Sequence, residues 1–213
     1  MLERRGFLGA MLGAGAASWL ADPPEAVAAP RGSASEEWDF SWLDKLNGKH
    51  KQVFDYREPA GGLLVIKNWL EGHETLFGLK PPQVNAVVGI ATPTFPVNAS
   101  DELWRKFPIG ELWKLNDPDT GAPAVRNIFM DGGKVAPFIG AGVRPLMERG
   151  AIFWQCNNAL QRVASRIAGA VKRPEAEIYQ ECRAGLNPGV IVIPAHTVLL
   201  GMCQERGCAY EVL

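Results

Sequence analysis

Apolar and polar positions along the chain alternate between short apolar runs and stretches of helical period. Lys51 to Tyr56 (KQVFDY), Val84 to Ala91 (VNAVVGIA), Ala151 to Trp154, Val190 to Ile193 and Cys208 to Leu213 read as strands. Between them, Leu63 to Phe77 is the clearest helix: Ile66, Leu70, His73 and Phe77 share a face while Glu71 and Glu74 stay solvated. Further helices are expected at Asp101 to Phe107, at Ile139 to Glu148 and from Cys156 to Ile167. The last two run from Glu175 to Leu186 and from Thr197 to Arg206, where Gly207 ends the pattern. Strands alternating with helices argue for an α/β fold built on a parallel sheet with crossover helices. Trp38, Phe40, Trp42, Leu43 and Leu46 add a small apolar cluster around a short helix, expected to cover a sheet edge.

The stretch Gly150 to Ile167, GAIFWQCNNALQRVASRI, organises this arrangement. It delivers Cys156 from the end of a buried strand to the start of a helix whose inner face carries Leu160, Val163, Ala164 and Ile167. Ligands of parallel sheets gather at the carboxyl ends of the strands, and first-turn amides favour a thiolate. Cys156 is therefore the candidate reactive group, with packing as a small buried hydrophobe as the plainer alternative. His196 follows Pro194 and Ala195 at the end of another strand and opens a helix, a topologically equivalent place. A Cys/His pair would suit proton transfer or thiolate stabilisation. Asn157 and Asn158 are expected to orient the pocket. Thr92, Thr94, Phe95 and Asn98 lie in the proline-rich loop TPTFPVN, where a pocket wall is expected, although such residues also serve simply as turn formers. Asn98 or Ser100 is placed to cap the helix at Asp101. His73 is available as acid, base or ligand, and its apolar neighbours equally suit a hydrogen-bonded packing role.

Composition narrows the function classes. With 213 residues, 47% of them hydrophobic, and a formal net charge of -1, the chain suits one compact domain and lacks the basic footprint of a nucleic-acid binder. Residues 108 to 137 carry repeated Asp/Asn, Gly and Pro punctuation and read as a long excursion, of the kind that forms lids or interaction surfaces. Asp117, Asp119 and Asp131 lack the spacing of a calcium loop, while Arg126 and Lys134 offer positive charge to an anion or sit on the surface. No CxxC, CxxCH or tight Cys/His cluster points to a metal, and no nucleotide-binding glycine motif points to a cofactor or an oxidoreductase subunit. Cys182, Cys203 and Cys208 accompany Cys156, and the Cys203 to Cys208 interval crosses a helix end in a way that suits either a bridge or ordinary burial.

The first residues resemble a twin-arginine export signal. Arg4 and Arg5 precede Phe7 and Leu8, and a Gly/Ala/Leu-rich segment shorter than a membrane span runs to Leu20. Residues 1–29 are assigned to that signal, with processing after Ala28 or Ala29 and a retained membrane anchor as the alternative. Residues 30–49 form a polar lead and short apolar arm, and residues 50–213 the α/β domain. The expected location is periplasmic or otherwise outside the cytoplasm, with the export machinery as a partner.

The order IFWQCNNALQRVASRI, then GLNPGVIVIPAHTVLLGMCQERGCAYEV, resembles the carboxyl half of the DsrE-like sulfur-relay family. The strand-Cys-helix unit is followed by Pro188-Gly189-Val190, a strand ending at Pro194, a helix ending at Gln204, Arg206 and Gly207, and a terminal strand. The likeness is good from about Gly150 onward and loose back to Lys51. It implies a three-layer α/β fold with a mostly parallel sheet of about five strands, assembly into homo-oligomers, and Cys156 in the place of the persulfide-carrying cysteine. The family's common serine and glycine after Pro194 are Ala195 and His196 here. The function expected on this basis is an exported DsrE-like protein that binds or transfers sulfane sulfur through Cys156, with His196 tuning its protonation. A small sulfur species or an acceptor thiol protein would be its partner. The alternative is a non-enzymatic exported ligand-binding or assembly protein whose cysteine is structural and whose long excursion forms the interface.

Overall fold

The computed structural model describes residues 38–213 except residue 60, so the expected export signal, its expected cleavage point and the start of the expected polar lead lie outside the described residues. After a 3-10 turn at Ser41–Lys45, the order is β1 (His50–Tyr56), α1 (Gly62–Phe77), β2 (Val84–Ile90), α2 (Phe95–Asn98), α3 (Asp101–Lys106) and α4 (Ile109–Trp113). Then follow α5 (Val143–Glu148), β3 (Ile152–Cys156), α6 (Asn157–Val171), α7 (Glu175–Ala184), β4 (Ile191–Ile193), α8 (His196–Glu205) and β5 (Ala209–Val212). The five strands form one sheet in the order β4-β3-β2-β1-β5, and each neighbouring pair is parallel.

The apolar run of β2 is what a strand covered on both faces requires, and all of it is buried. On one face Phe54, Tyr56, Val88, Ile90 and Phe153 pack against Ile66 and Leu70 of α1 and Leu146 of α5. On the other, Val53, Val87, Trp154 and Ile193 meet Leu199 and Cys203 of α8, with Trp42 and Leu43 of the 3-10 turn. The molecule is thus a three-layer α/β fold, with the inner face of α6 closing a further cluster around Phe95, Trp104 and Ile178. The periodicity of α6 is what makes that possible: Leu160, Val163, Ala164 and Ile167 are all buried.

Some boundaries differ from the sequence reading, each for a local reason. The 3-10 turn covers the α8 face of the sheet and not an edge, because Trp42 packs on Trp154 of β3 at a ring separation of 5.8 Å. The helix expected from Ile139 starts at Val143, since the preceding backbone is taken up by a bridge between Gly132 and Ile139 and a turn from Gly133 N–H to the Phe138 carbonyl. Within the excursion, Ile109–Trp113 forms a short helix, and the rest is tied down by polar side chains. Asn127 donates to the carbonyls of Val97 (3.1 Å) and Ala99 (2.7 Å), and Arg126 forms a fork on Asp117 at 2.6 and 3.0 Å. Ser100 occupies the cap position of α3 without a side-chain cap, and Asn98 lies inside α2.

Leu160→Ala should lower stability by about 2–5 kcal/mol in urea unfolding, as core truncations do. Leu76→Ala, at a side chain 75% exposed, should stay within about 0.5 kcal/mol.

Candidate functional site

The carboxyl ends of β2, β3 and β4 open onto a cleft of about 450 Å³. Its lining includes Thr92, Cys156, Asn158, Arg162, His196 and Thr197. α6 and α8 both begin at this cleft because β3 and β4 end there, so two sets of first-turn amides converge on one space.

Cys156 joins those helix ends. It is the last residue of β3 and the cap of α6, and its Sγ accepts the N–H of Ala159 at 3.4 Å and the N–H of His196 at 3.3 Å. One sulfur therefore satisfies an orphan amide from each helix. The side chain is only 4% exposed and packs in the cluster that holds Trp154, Ala159, Ile193 and Leu199. This overturns the expected sulfur-transfer function. All four cysteines are free and buried, whereas handing sulfur to an acceptor thiol protein needs a sulfur that stands at the surface.

The Cys156/His196 pair meets through the backbone of His196, and the imidazole points elsewhere. Its Nδ1 accepts the indole N–H of Trp154 at 3.1 Å, and its Nε2 lies 2.8 Å from Oδ1 of Asp55. An indole only donates, so Nδ1 carries the lone pair and Nε2–H donates to the carboxylate. The other oxygen of Asp55 accepts from Tyr210 Oη at 2.7 Å and from Arg57 at 2.7 and 2.9 Å. Burial alone would raise the Asp55 carboxyl, but the hydrogen bonds from Arg57, Tyr210 and His196 outweigh it and hold it below its ordinary range. The hydrogen bond to Asp55 in turn holds the Tyr210 phenol above its usual value. The chain Trp154–His196–Asp55–Tyr210 thus ties β3, α8, β1 and β5 together beside the cleft.

Gly89 makes room for it. In register, Gly89 of β2 lies between Asp55 of β1 and Trp154 of β3, and a methyl group there would stand 2.7 Å from the Trp154 ring and 2.8 Å from His196 Cε1. Only glycine admits both rings over the strand.

The expected pocket residues separate into those that face the cleft and those that hold its walls. Thr92 and Asn158 line it, and the Thr92 hydroxyl donates to the Ala159 carbonyl at 3.4 Å. Thr94, Phe95 and Asn98 do not: they are fully buried. The Thr94 hydroxyl donates to the Tyr56 carbonyl at 2.8 Å, and the Asn98 amide donates to the Trp154 carbonyl at 3.0 Å. Asn157 is turned away as well, its Oδ1 accepting the Tyr179 hydroxyl at 2.6 Å. The His73 ring lies tilted against Trp69 with ring centres 4.3 Å apart, and its Nδ1 meets the Trp69 carbonyl at 2.9 Å, far along α1 from the cleft. Arg126 and Lys134 are engaged by Asp117 and Asp119 within the excursion.

Arg162 is the functional candidate that the sequence reading passed over. It is exposed on α6, lines the cleft and, among the described residues, makes no hydrogen bond or ion pair. Its place four residues after Asn158, one helical turn along the same face, was the available signal. Asp55 was also passed over; a lone carboxylate in the apolar run VFDY, opposite a lone glycine in VNAVVGI, marks a buried polar contact at a close approach. Among the described residues, no group of three or more His, Cys, Asp or Glu side chains is arranged to hold a metal ion. A second cavity of about 230 Å³, between the end of β1 and the excursion, has no charged residue in its lining.

No family model, curated protein or solved structure matches this chain. The chemistry of the cleft rests on its own geometry.

Asp55→Asn should cost about 1.5–3 kcal/mol at neutral pH, the range for a hydrogen bond to a charged group. Because the folded-state carboxyl is depressed, its contribution is present above the ordinary carboxylate value and disappears as pH falls through the lower folded value. The gap between wild type and variant in chemical unfolding should therefore be constant at neutral pH and close in acid. Gly89→Ala should cost about 1–3 kcal/mol by overpacking and shift the Trp154 fluorescence.

Proposed function

We propose that this protein binds a small anionic molecule, without covalent chemistry, in the cleft at the carboxyl ends of β2, β3 and β4. The observation that carries this reading is the free guanidinium of Arg162 in a cleft onto which two helix amino termini open. Helix amino termini favour negative charge and present unpaired N–H groups to it, and an arginine adds a fork of donors matched to a carboxylate or phosphate. Cys156 consumes the Ala159 and His196 amides, which leaves the first-turn amides of Asn158 and Thr197 for a ligand. The Thr92 and Thr197 hydroxyls and the Asn158 side chain supply uncharged polar contacts. His196 has both ring nitrogens engaged, which favours a scaffolding role over proton transfer.

Three further readings belong to the same proposal. The fold is of the DsrE-like kind, which the five-stranded parallel sheet and the strand–Cys156–helix unit support, with the relay chemistry left behind. The chain is exported and processed near Ala28 or Ala29, which Arg4, Arg5 and the apolar stretch after them support. Self-association, also implied by that likeness, is supported by the exposed Tyr210 and Val212 on edge strand β5.

Titration with phosphate, sulfate and small carboxylates, followed by amide chemical shifts, tests the binding reading. The expected result is saturable shifts at Asn158 and Thr197 and an affinity reduced about tenfold, near 1.4 kcal/mol, in Arg162→Gln. Shifts confined to other surfaces, or an unchanged affinity in the variant, would sink it.

A further inference from the structure

The carboxyl end of α8 brings two cysteines together. Gly207 has a positive φ of 79°, its N–H donates to the Gln204 carbonyl at 2.8 Å, and the Cys208 N–H donates to the Cys203 carbonyl at 3.0 Å. That paired set of bonds is a Schellman motif, with Gly207 in the left-handed position just past the helix. In this motif the residues whose side chains meet are the one three positions before the cap and the one two positions after it. Here those residues are Cys203 and Cys208, and both lie in the cluster under α8.

The motif sets the Cys203 and Cys208 side chains next to each other in that cluster. The neighbouring Cys208 and burial push the Cys203 thiol up, the neighbouring Cys203 draws the Cys208 thiol down, and Lys51 and Arg206 add positive charge on the Cys208 side. Lys51 lies on β1 beside Gly207, 3.5 Å from where a Cβ would stand. The arrangement has the parts of a dithiol pair: an attacking sulfur at low exposure but on the margin of the sheet, and a second sulfur held beside it. Cys208 is 6% exposed and immediately precedes β5, a four-residue strand at the edge of the sheet.

We propose that Cys203 and Cys208 form a reversible intramolecular disulfide by exchange with a small-molecule disulfide of the glutathione type, which does not require a protein partner to dock on the thiol. The Cys208 thiolate attacks one sulfur of that disulfide, forming a mixed disulfide and releasing one thiolate. The Cys203 thiol gives its proton to the released thiolate and attacks the Cys208 sulfur, forming the protein disulfide and expelling the second thiolate, which takes a proton from water. The dithiol loses two electrons and the external disulfide, gaining them, becomes two thiols. The bridge joins the end of α8 to the start of β5. Those elements also carry His196 and Tyr210, the partners of Asp55, so the oxidation state acts on the elements that hold the wall of the cleft.

The test uses the full chain, reduced and then equilibrated with excess oxidised glutathione. It is quenched in acid, denatured, alkylated and digested with trypsin, which cuts after Arg206, between the two cysteines. The expected species is peptide 184–206 linked to peptide 207–213, separating on reduction, while Cys156 and Cys182 are recovered alkylated. Four alkylated cysteines, a lasting glutathione adduct on Cys208, or a bridge to Cys156 or Cys182 overturns the proposal. Cys208→Ser should abolish the linked species and Cys182→Ser should leave it, and the wild-type map decides the matter even if either variant folds poorly.

Discussion

A carboxylate buried in a protein must be supplied with donors, and the supply to Asp55 fixes how the rest of this fold meets. It draws on α8 through His196, on β5 through Tyr210 and on the chain just after β1 through Arg57. Removing any one leaves part of a buried charge unpaired, which costs far more than a lost surface contact. His196 can serve only because the Trp154 indole occupies its other nitrogen, and Trp154 can lie there only because Gly89 has no side chain. The order β3, β2, β1 across the sheet is thus read out in side chains as indole, hydrogen and carboxylate.

Cys156 complements that network from the other side of His196. An N-cap is usually a serine, threonine, asparagine or aspartate. A hydroxyl at this place would need an acceptor of its own, and a carboxylate would need further donors in a cluster built from Ile193, Leu199 and Trp154. Sulfur is a weak acceptor that is also at home among apolar groups. The residue that looks most like a nucleophile in the sequence is therefore placed where it caps one helix and anchors another, and the polarity left over in the cleft belongs to Arg162 and the remaining amides.

The fold was legible where the pattern was long or doubly buried. VNAVVGI and the α6 repeat of Leu160, Val163, Ala164 and Ile167 carry a signal that few alternatives share, and the strand-to-helix position of Cys156 follows from their junction. The excursion was not legible, because its order comes from Asn127 and the Asp117–Arg126 fork, single polar residues whose partners lie elsewhere in the chain or across a turn. At the site, Cys156 and His196 were correctly brought to one end of the sheet by topology. Which atom of His196 faced Cys156 depended on Asp55, more than a hundred residues away, and on a register that sequence periodicity does not determine. Thr94, Phe95 and Asn98 were misplaced because a loop at the end of a buried strand has an inner and an outer side, and the one-turn helix α2, with Thr94 at its cap position, turns these three inward.

α8 is held at both ends by different chemistry. Its amino terminus is tied by an imidazole–carboxylate contact and a sulfur acceptor, and its carboxyl terminus by a Schellman motif closed on two thiols. Between these ends Leu199 and Cys203 bury the inner face, while Val198 on the outer face is exposed. A ten-residue helix is too short to be stable by propensity alone, so its position depends on those terminal contacts and on that buried stripe. The cleft wall that His196 and Thr197 form is consequently only as fixed as the two ends of α8. Stiffening the end remote from the cleft acts on the wall through the helix itself, with no contact between the thiols at one end and a ligand at the other.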